Sequence, residues 1–124
     1  MEGQTITIRK FLDQFAVVEG TIFNIGHESA SVDLNGTFRW SDEGDWVSLV
    51  RKGCGCEIHL KKSALCNIVL GSTQTGFGGN PFMDVVDEEG RRILRVYLHT
   101  PEAQKVVQAL REKMGNPESI AIKH

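Results

Sequence analysis

From Val17 to Tyr97 the chain is a succession of short β-branched and aromatic runs broken by glycine, asparagine and aspartate. That pattern is the mark of antiparallel strands joined by tight turns. Strands are expected at 17–24, 29–34, 37–41, 46–51, 55–60, 66–70, 82–86 and 92–98. Asn35-Gly36 is the clearest hairpin signal, because both residues tolerate positive φ. Glu43-Gly44 and Glu89-Gly90 mark two further turns, and Lys61–Leu65 reads as one helical turn between strands.

Helical spacing brackets this region. Ile8, Phe11, Leu12 and Phe15 recur with Arg9, Lys10, Asp13 and Gln14 between them. They predict a short amphipathic helix over 5–15, capped by Thr5 or Thr7. At the other end Thr100 is a good N-cap, Pro101 suits the first helical position, and Glu102 favours the positive helix terminus. Ala103, Val106, Val107, Leu110 and Met114 then line one face, and Gly115 is the stop. The tail 116–124 is expected to fray. With 124 residues, no repeat and no long linker, the expectation is one domain over 1–124. The fold class is α+β: an antiparallel sheet domain with a short N-terminal helix and a C-terminal helix.

Composition narrows the function classes. The chain is 40% hydrophobic and 24% charged, as a soluble globular protein is. Its net charge of −2 offers no footprint for nucleic acid. No apolar run is long enough to cross a membrane. Met1-Glu2-Gly3-Gln4 lacks the basic start and apolar run of a signal peptide. Three cysteines cannot all pair within one chain, so reduced thiols in a cytoplasm are expected.

The chemistry is sought first in Gly53–Leu60. Read as a strand, it puts Cys54, Cys56, Ile58 and Leu60 on one side and Gly55, Glu57 and His59 on the other. The first side looks like core. The second sets an imidazole on a face with little bulk beside it, able to hold a metal, a flat cofactor or a substrate. His27 sits near a strand whose Ser29, Ser31 and Asp33 share its polar face, with Ala30, Val32 and Leu34 buried opposite. His99 ends the strand Arg92–His99, on the face of Ile93, Arg95 and Tyr97. His124 is terminal and set aside. The plain alternative for each is a solvated surface histidine.

Other constellations are weaker. Cys54, Cys56 and Cys66 do not make a zinc site with His59. The first two face away from it, and C-x-C is not the usual C-x2-C spacing. Asp42, Glu43 and Asp45, like Asp87, Glu88 and Glu89, sit at hairpin tips where solvated acids are common. Ser63 and Ser72 lack a nucleophile elbow. The glycines of 71–80 spell neither a P-loop nor a dinucleotide fingerprint. That stretch carries four glycines in ten residues, with Phe77 its only large apolar residue, and reads as a flexible loop.

Three stretches carry a family resemblance: Pro81–Leu98, Gly55–Val69 and, more weakly, Thr21–Leu34. The first is a strand, a turn ending in glycine, and a strand closing on Val96-Tyr97-Leu98 before the last helix. Together they resemble bacterial haem-utilisation proteins of the ChuX/HutX type, and one half of the tandem HemS-type proteins. The resemblance implies a HemS/ChuX-like fold and a cytoplasmic haem-binding protein for storage, trafficking or iron utilisation. It places the iron-ligating histidines at His27 and His59, with Phe77, Arg95 and Tyr97 as further haem contacts. It implies haem b as cofactor and a homodimer as partner state. Arg39, Arg51 or Arg95 would supply charge for the propionates. The alternatives are a haem-degrading enzyme of the HemS type and a non-catalytic dimeric domain that has lost haem.

Overall fold

Strand alternation decides which side of each β-element faces the core. Met83 and Val85 point inward from one strand, and Leu94, Val96 and Leu98 from its neighbour, all buried. The computed structural model describes residues 5–16, 21–27, 29–35, 37–51, 53, 55–72, 81–115 and 117–124, the side chains of 27 and 72 excepted. The elements are β1 (Thr5–Thr7), α1 (Ile8–Phe15), β2 (Thr21–His27), β3 (Ala30–Asn35), β4 (Phe38–Glu43), β5 (Trp46–Arg51) and β6 (Glu57–Lys61). A 3-10 turn (Lys62–Ala64) leads to β7 (Asn67–Ser72), β8 (Pro81–Val86), β9 (Arg92–Leu98), α2 (Pro101–Lys113) and β10 (Ser119–Lys123).

The fold is α+β, with the strands divided over two sheets. Seven strands lie in the order β1-β10-β7-β8-β9-β2-β3, and β4-β5-β6 form a separate meander. All pairs are antiparallel except β1 with β10. One buried cluster joins α1 (Phe11, Leu12, Phe15), both sheets (Phe23 and Phe38, ring centroids 4.9 Å apart) and α2 (Val107, Leu110). Each such side chain contributes roughly 1.5–3 kcal/mol when fully buried.

Local chemistry sets the ends of both helices. Thr7 caps α1, its hydroxyl accepting from the Lys10 N–H at 3.1 Å. Thr100 caps α2, accepting from the Ala103 N–H at 3.2 Å, with Pro101 in the first turn. Gly115 ends α2 at φ 79°, a left-handed conformation that costs glycine little.

Four expectations are corrected. Thr5–Thr7 is a strand, not the first turn of α1; buried Ile6 pairs with Ile122 in a parallel ladder. The tail does not fray: Ser119–Lys123 pairs with both β7 and β1, burying Ile120 and Ile122 on alternate positions. Asn35 ends a strand that does not pair with β4. Phe38 instead takes the chain into the second sheet, its N–H held by the Ala16 carbonyl at 2.7 Å; Gly36 itself lies outside the described residues. Ala30 and Val32 are exposed rather than buried, because β3 is the edge of its sheet.

Candidate functional site

The β4-β5-β6 meander buries Phe38, Val47, Leu49, Ile58 and Leu60 and turns the alternate residues outward. Its register places three rows across the outer face: Arg39–Val50–Glu57, Ser41–Ser48–His59 and Glu43–Trp46–Lys61. Standard strand spacings make this face roughly 10 Å across the strands and about 13 Å along them. Trp46 is 45% exposed, an unusual investment of aromatic surface in solvent.

His59 occupies the end of the central row, its side chain half exposed. Its Nδ1 lies 2.7 Å from the Ser48 hydroxyl. That hydroxyl donates to Glu43 Oε2 at 2.9 Å, and Ser41 donates to Glu43 Oε1 at 3.2 Å. Across the ring, Nε2 is 3.6 Å from Glu57 Oε2, beyond hydrogen-bond reach. Ser48 beside an imidazole invites comparison with a nucleophile–base pair. Two observations argue against it: Ser48 is only 3% exposed, and its proton is directed to Glu43. What the row offers is an imidazole nitrogen at the open side, anchored from below.

A second polar cluster lies on the seven-stranded sheet. Arg95 grips Asp84 with two hydrogen bonds of 2.6 and 2.9 Å, a bidentate pair in which both side chains are largely buried. Its guanidinium stacks 3.9 Å above the Phe82 ring and donates to the Tyr97 hydroxyl at 3.4 Å. The Asp84 carboxylate, aided by Tyr97 and opposed by burial, pushes the Arg95 pKa above its ordinary value. Phe82 in turn lies over Gly71, where an added Cβ would come within 2.7 Å of the ring.

The residues singled out from the sequence are therefore distributed over both sheets. His59 is on the outer face of β6, as the alternation predicted. His27 ends β2, paired with Ala30, and its side chain lies outside the described residues. Phe77 lies outside them entirely. Arg95 and Tyr97 come together, but with Asp84 and Phe82 as their partners. At Gly26 the backbones approach closely: an added Cβ would sit 2.3 Å from the Ala30 carbonyl oxygen. The His99 ring lies 5.8 Å from that of Tyr97, tilted by 53°. His124, set aside earlier, places Nε2 2.9 Å from the Leu65 carbonyl oxygen, so that nitrogen donates.

Ser48, Glu43 and Trp46 were not marked as site residues by sequence. Their signal is the Glu43-Gly44 turn: counting back from it pairs Glu43 with Trp46 and Ser41 with Ser48. Glu43 is not a plain solvated acid, since both its oxygens accept serine hydroxyls. Asp42 is held below the usual carboxylate range chiefly by its hydrogen bond to Lys62, with which it forms an ion pair.

Two clefts are lined by residues outside these rows. A cleft of about 500 Å³ is lined by Gly44, Asp45, Lys62, Ser63, Cys66, Ile122 and His124. A neighbour of about 310 Å³ shares Lys62 and His124 and adds Arg9, Asp42 and Lys123. Lys62 is tied to Asp42 by its side chain and to the Asp45 carbonyl by its N–H, so the shared wall is a structural pin.

No protein-family model and no curated protein sequence matches the chain. Among solved structures, the crystal structure of ChuX superposes with a TM-score of 0.74, covering 88% of this chain and 72% of that one at 12% identity. The chain has a ChuX-like fold, as the resemblance implied. No helix among the described residues is long and apolar enough to cross a membrane.

Proposed function

We propose that this chain binds haem, with His59 as the iron ligand, on the outer face of the β4-β5-β6 meander. The observation that carries the proposal is the half-exposed imidazole anchored through Nδ1, on a fold like that of ChuX. The residues present suit the group. An imidazole nitrogen suits the iron, exposed Trp46 suits the apolar ring, and exposed Arg39 or Lys61, each at one corner, suits the propionates, which share one edge of the ring. Arg95 is held bidentately by Asp84, and we assign the propionates to Arg39 or Lys61 instead. His27 and Phe77 enter as further haem contacts on the strength of the resemblance. Bound haem b would bring iron and its oxygen chemistry; the protein would bind and orient it.

Titrating hemin into the purified protein is expected to give a saturable Soret shift, weakened in His59→Ala. A wild-type spectrum indistinguishable from free hemin would end the proposal. Adding a reductant to the complex separates a carrier, whose Soret band persists, from a ring-opening enzyme, whose band is lost. A cytoplasmic homodimer belongs to the same reading, and light scattering at the monomer mass would count against the pairing.

A further inference from the structure

We propose that Glu43 and Ser48 are positioning residues that hold neutral His59 as its Nδ1–H tautomer and leave the Nε2 lone pair facing outward. The inference rests on the haem reading only for its purpose; the tautomer is a property of the protein alone.

The serine hydroxyl has one proton and two heavy-atom neighbours in hydrogen-bond range, Glu43 Oε2 at 2.9 Å and His59 Nδ1 at 2.7 Å. If the proton went to Nδ1, the hydroxyl and carboxylate oxygens would face each other with no hydrogen between them. A bond to an ionised acceptor is also about twice as strong as one between neutral groups. The proton therefore goes to Glu43, and Ser48 can only accept from His59. Nδ1 must carry the ring proton, and in the neutral imidazole Nε2 is then the bare nitrogen.

The competing arrangement would put the proton on Nε2 and offer it to Glu57. That contact is 3.6 Å long between side chains 51% and 53% exposed, so it gains little in water. The short bonds are on the other side of the ring, at a serine that is buried beneath its neighbours. A ligating histidine whose second nitrogen donates to a fixed acceptor has its ring orientation and tautomer set in advance. Glu43, in the neighbouring row and two hydrogen bonds away, thus acts on Nε2 without touching it.

Ring nitrogen shifts of His59, read from long-range 1H–15N correlation spectra of the haem-free protein at alkaline pH, test this. The wild type is expected to show a protonated Nδ1 and a bare Nε2. Glu43→Ala removes an exposed side chain and frees the Ser48 proton for Nδ1, so the pattern is expected to invert. Ser48→Ala removes the acceptor and is expected to leave a mixture, while Ser48→Thr restores the wild-type pattern. A wild type with protonated Nε2, or a Glu43→Ala spectrum identical to wild type, overturns the proposal. With hemin, Glu43→Ala should weaken binding about 10–100-fold, the usual effect of losing a partner of a ligand. A wild type with bare Nε2 that ignores hemin keeps the relay and removes the haem reading. Hemin bound by a protein with protonated Nε2 does the reverse.

Discussion

The two sheets each carry a polar cluster built by cross-strand pairing, and the clusters differ in whether they close on themselves. On the seven-stranded sheet, Asp84 and Arg95 sit directly opposite, satisfy one another bidentately and are flanked by Phe82 and Tyr97. On the three-stranded sheet, Glu43, Ser48 and His59 form a chain that runs outward and stops at an imidazole nitrogen. Closed networks hold a sheet face together; open ones leave a group for something else to use. Removing a member should therefore cost stability in the first cluster and binding in the second.

The largest effect is expected at Asp84→Ala. It strands a largely buried guanidinium and is expected to cost about 3 kcal/mol in denaturant unfolding. A loss below about 0.5 kcal/mol, the range of ordinary surface changes, would show that the cluster is not closed in solution. Gly71→Ala pushes the Phe82 ring from beneath Arg95 and is expected to cost about 1 kcal/mol by loss of the stacking contact. A thermal melt unchanged from wild type would refute that placement of the ring.

Acid acts on the seven-stranded side as well. Asp87 is held below the usual carboxylate range, first by the Arg91 N–H and then by that of Glu89, in the turn between β8 and β9. A carboxyl with a depressed folded pKa adds stability above its unfolded value, near 3.9, and loses it as pH falls through the folded one. The unfolding midpoint should thus drop below about pH 4, and Asp87→Asn should flatten that limb. An acid limb identical in the variant would remove Asp87 from the account. The smallest stability effect is expected at His59→Ala, within about 0.5 kcal/mol of wild type, because the side chain is half exposed. A larger loss by chemical denaturation would make His59 a structural residue.

How far this was legible in the sequence depends on the range of the forces involved. α2 was readable end to end, because Thr100-Pro101-Glu102 and Gly115 act within a turn of where they sit. The outward face of His59 was readable too, since alternation along Glu57–Lys61 is local. The rows were not: Ser48 meets His59 only once two turns have fixed the register of three strands. Ser119-Ile120-Ala121-Ile122-Lys123 carries a period of two, yet its partners Asn67–Val69 and Thr5–Thr7 lie far away in sequence. Asn35-Gly36 has the residues of a hairpin turn, but packing of Phe38 on Phe23 decides which sheet follows. Local turn preference is the weaker of the two terms.

The most direct measurement is a hemin titration run in parallel on wild type, His59→Ala and Asp84→Ala, with folding of each checked by circular dichroism. A saturable Soret shift is expected in wild type, retained in Asp84→Ala wherever that variant is folded, and lost or markedly weakened in folded His59→Ala. Equal shifts in wild type and His59→Ala would contradict ligation by His59.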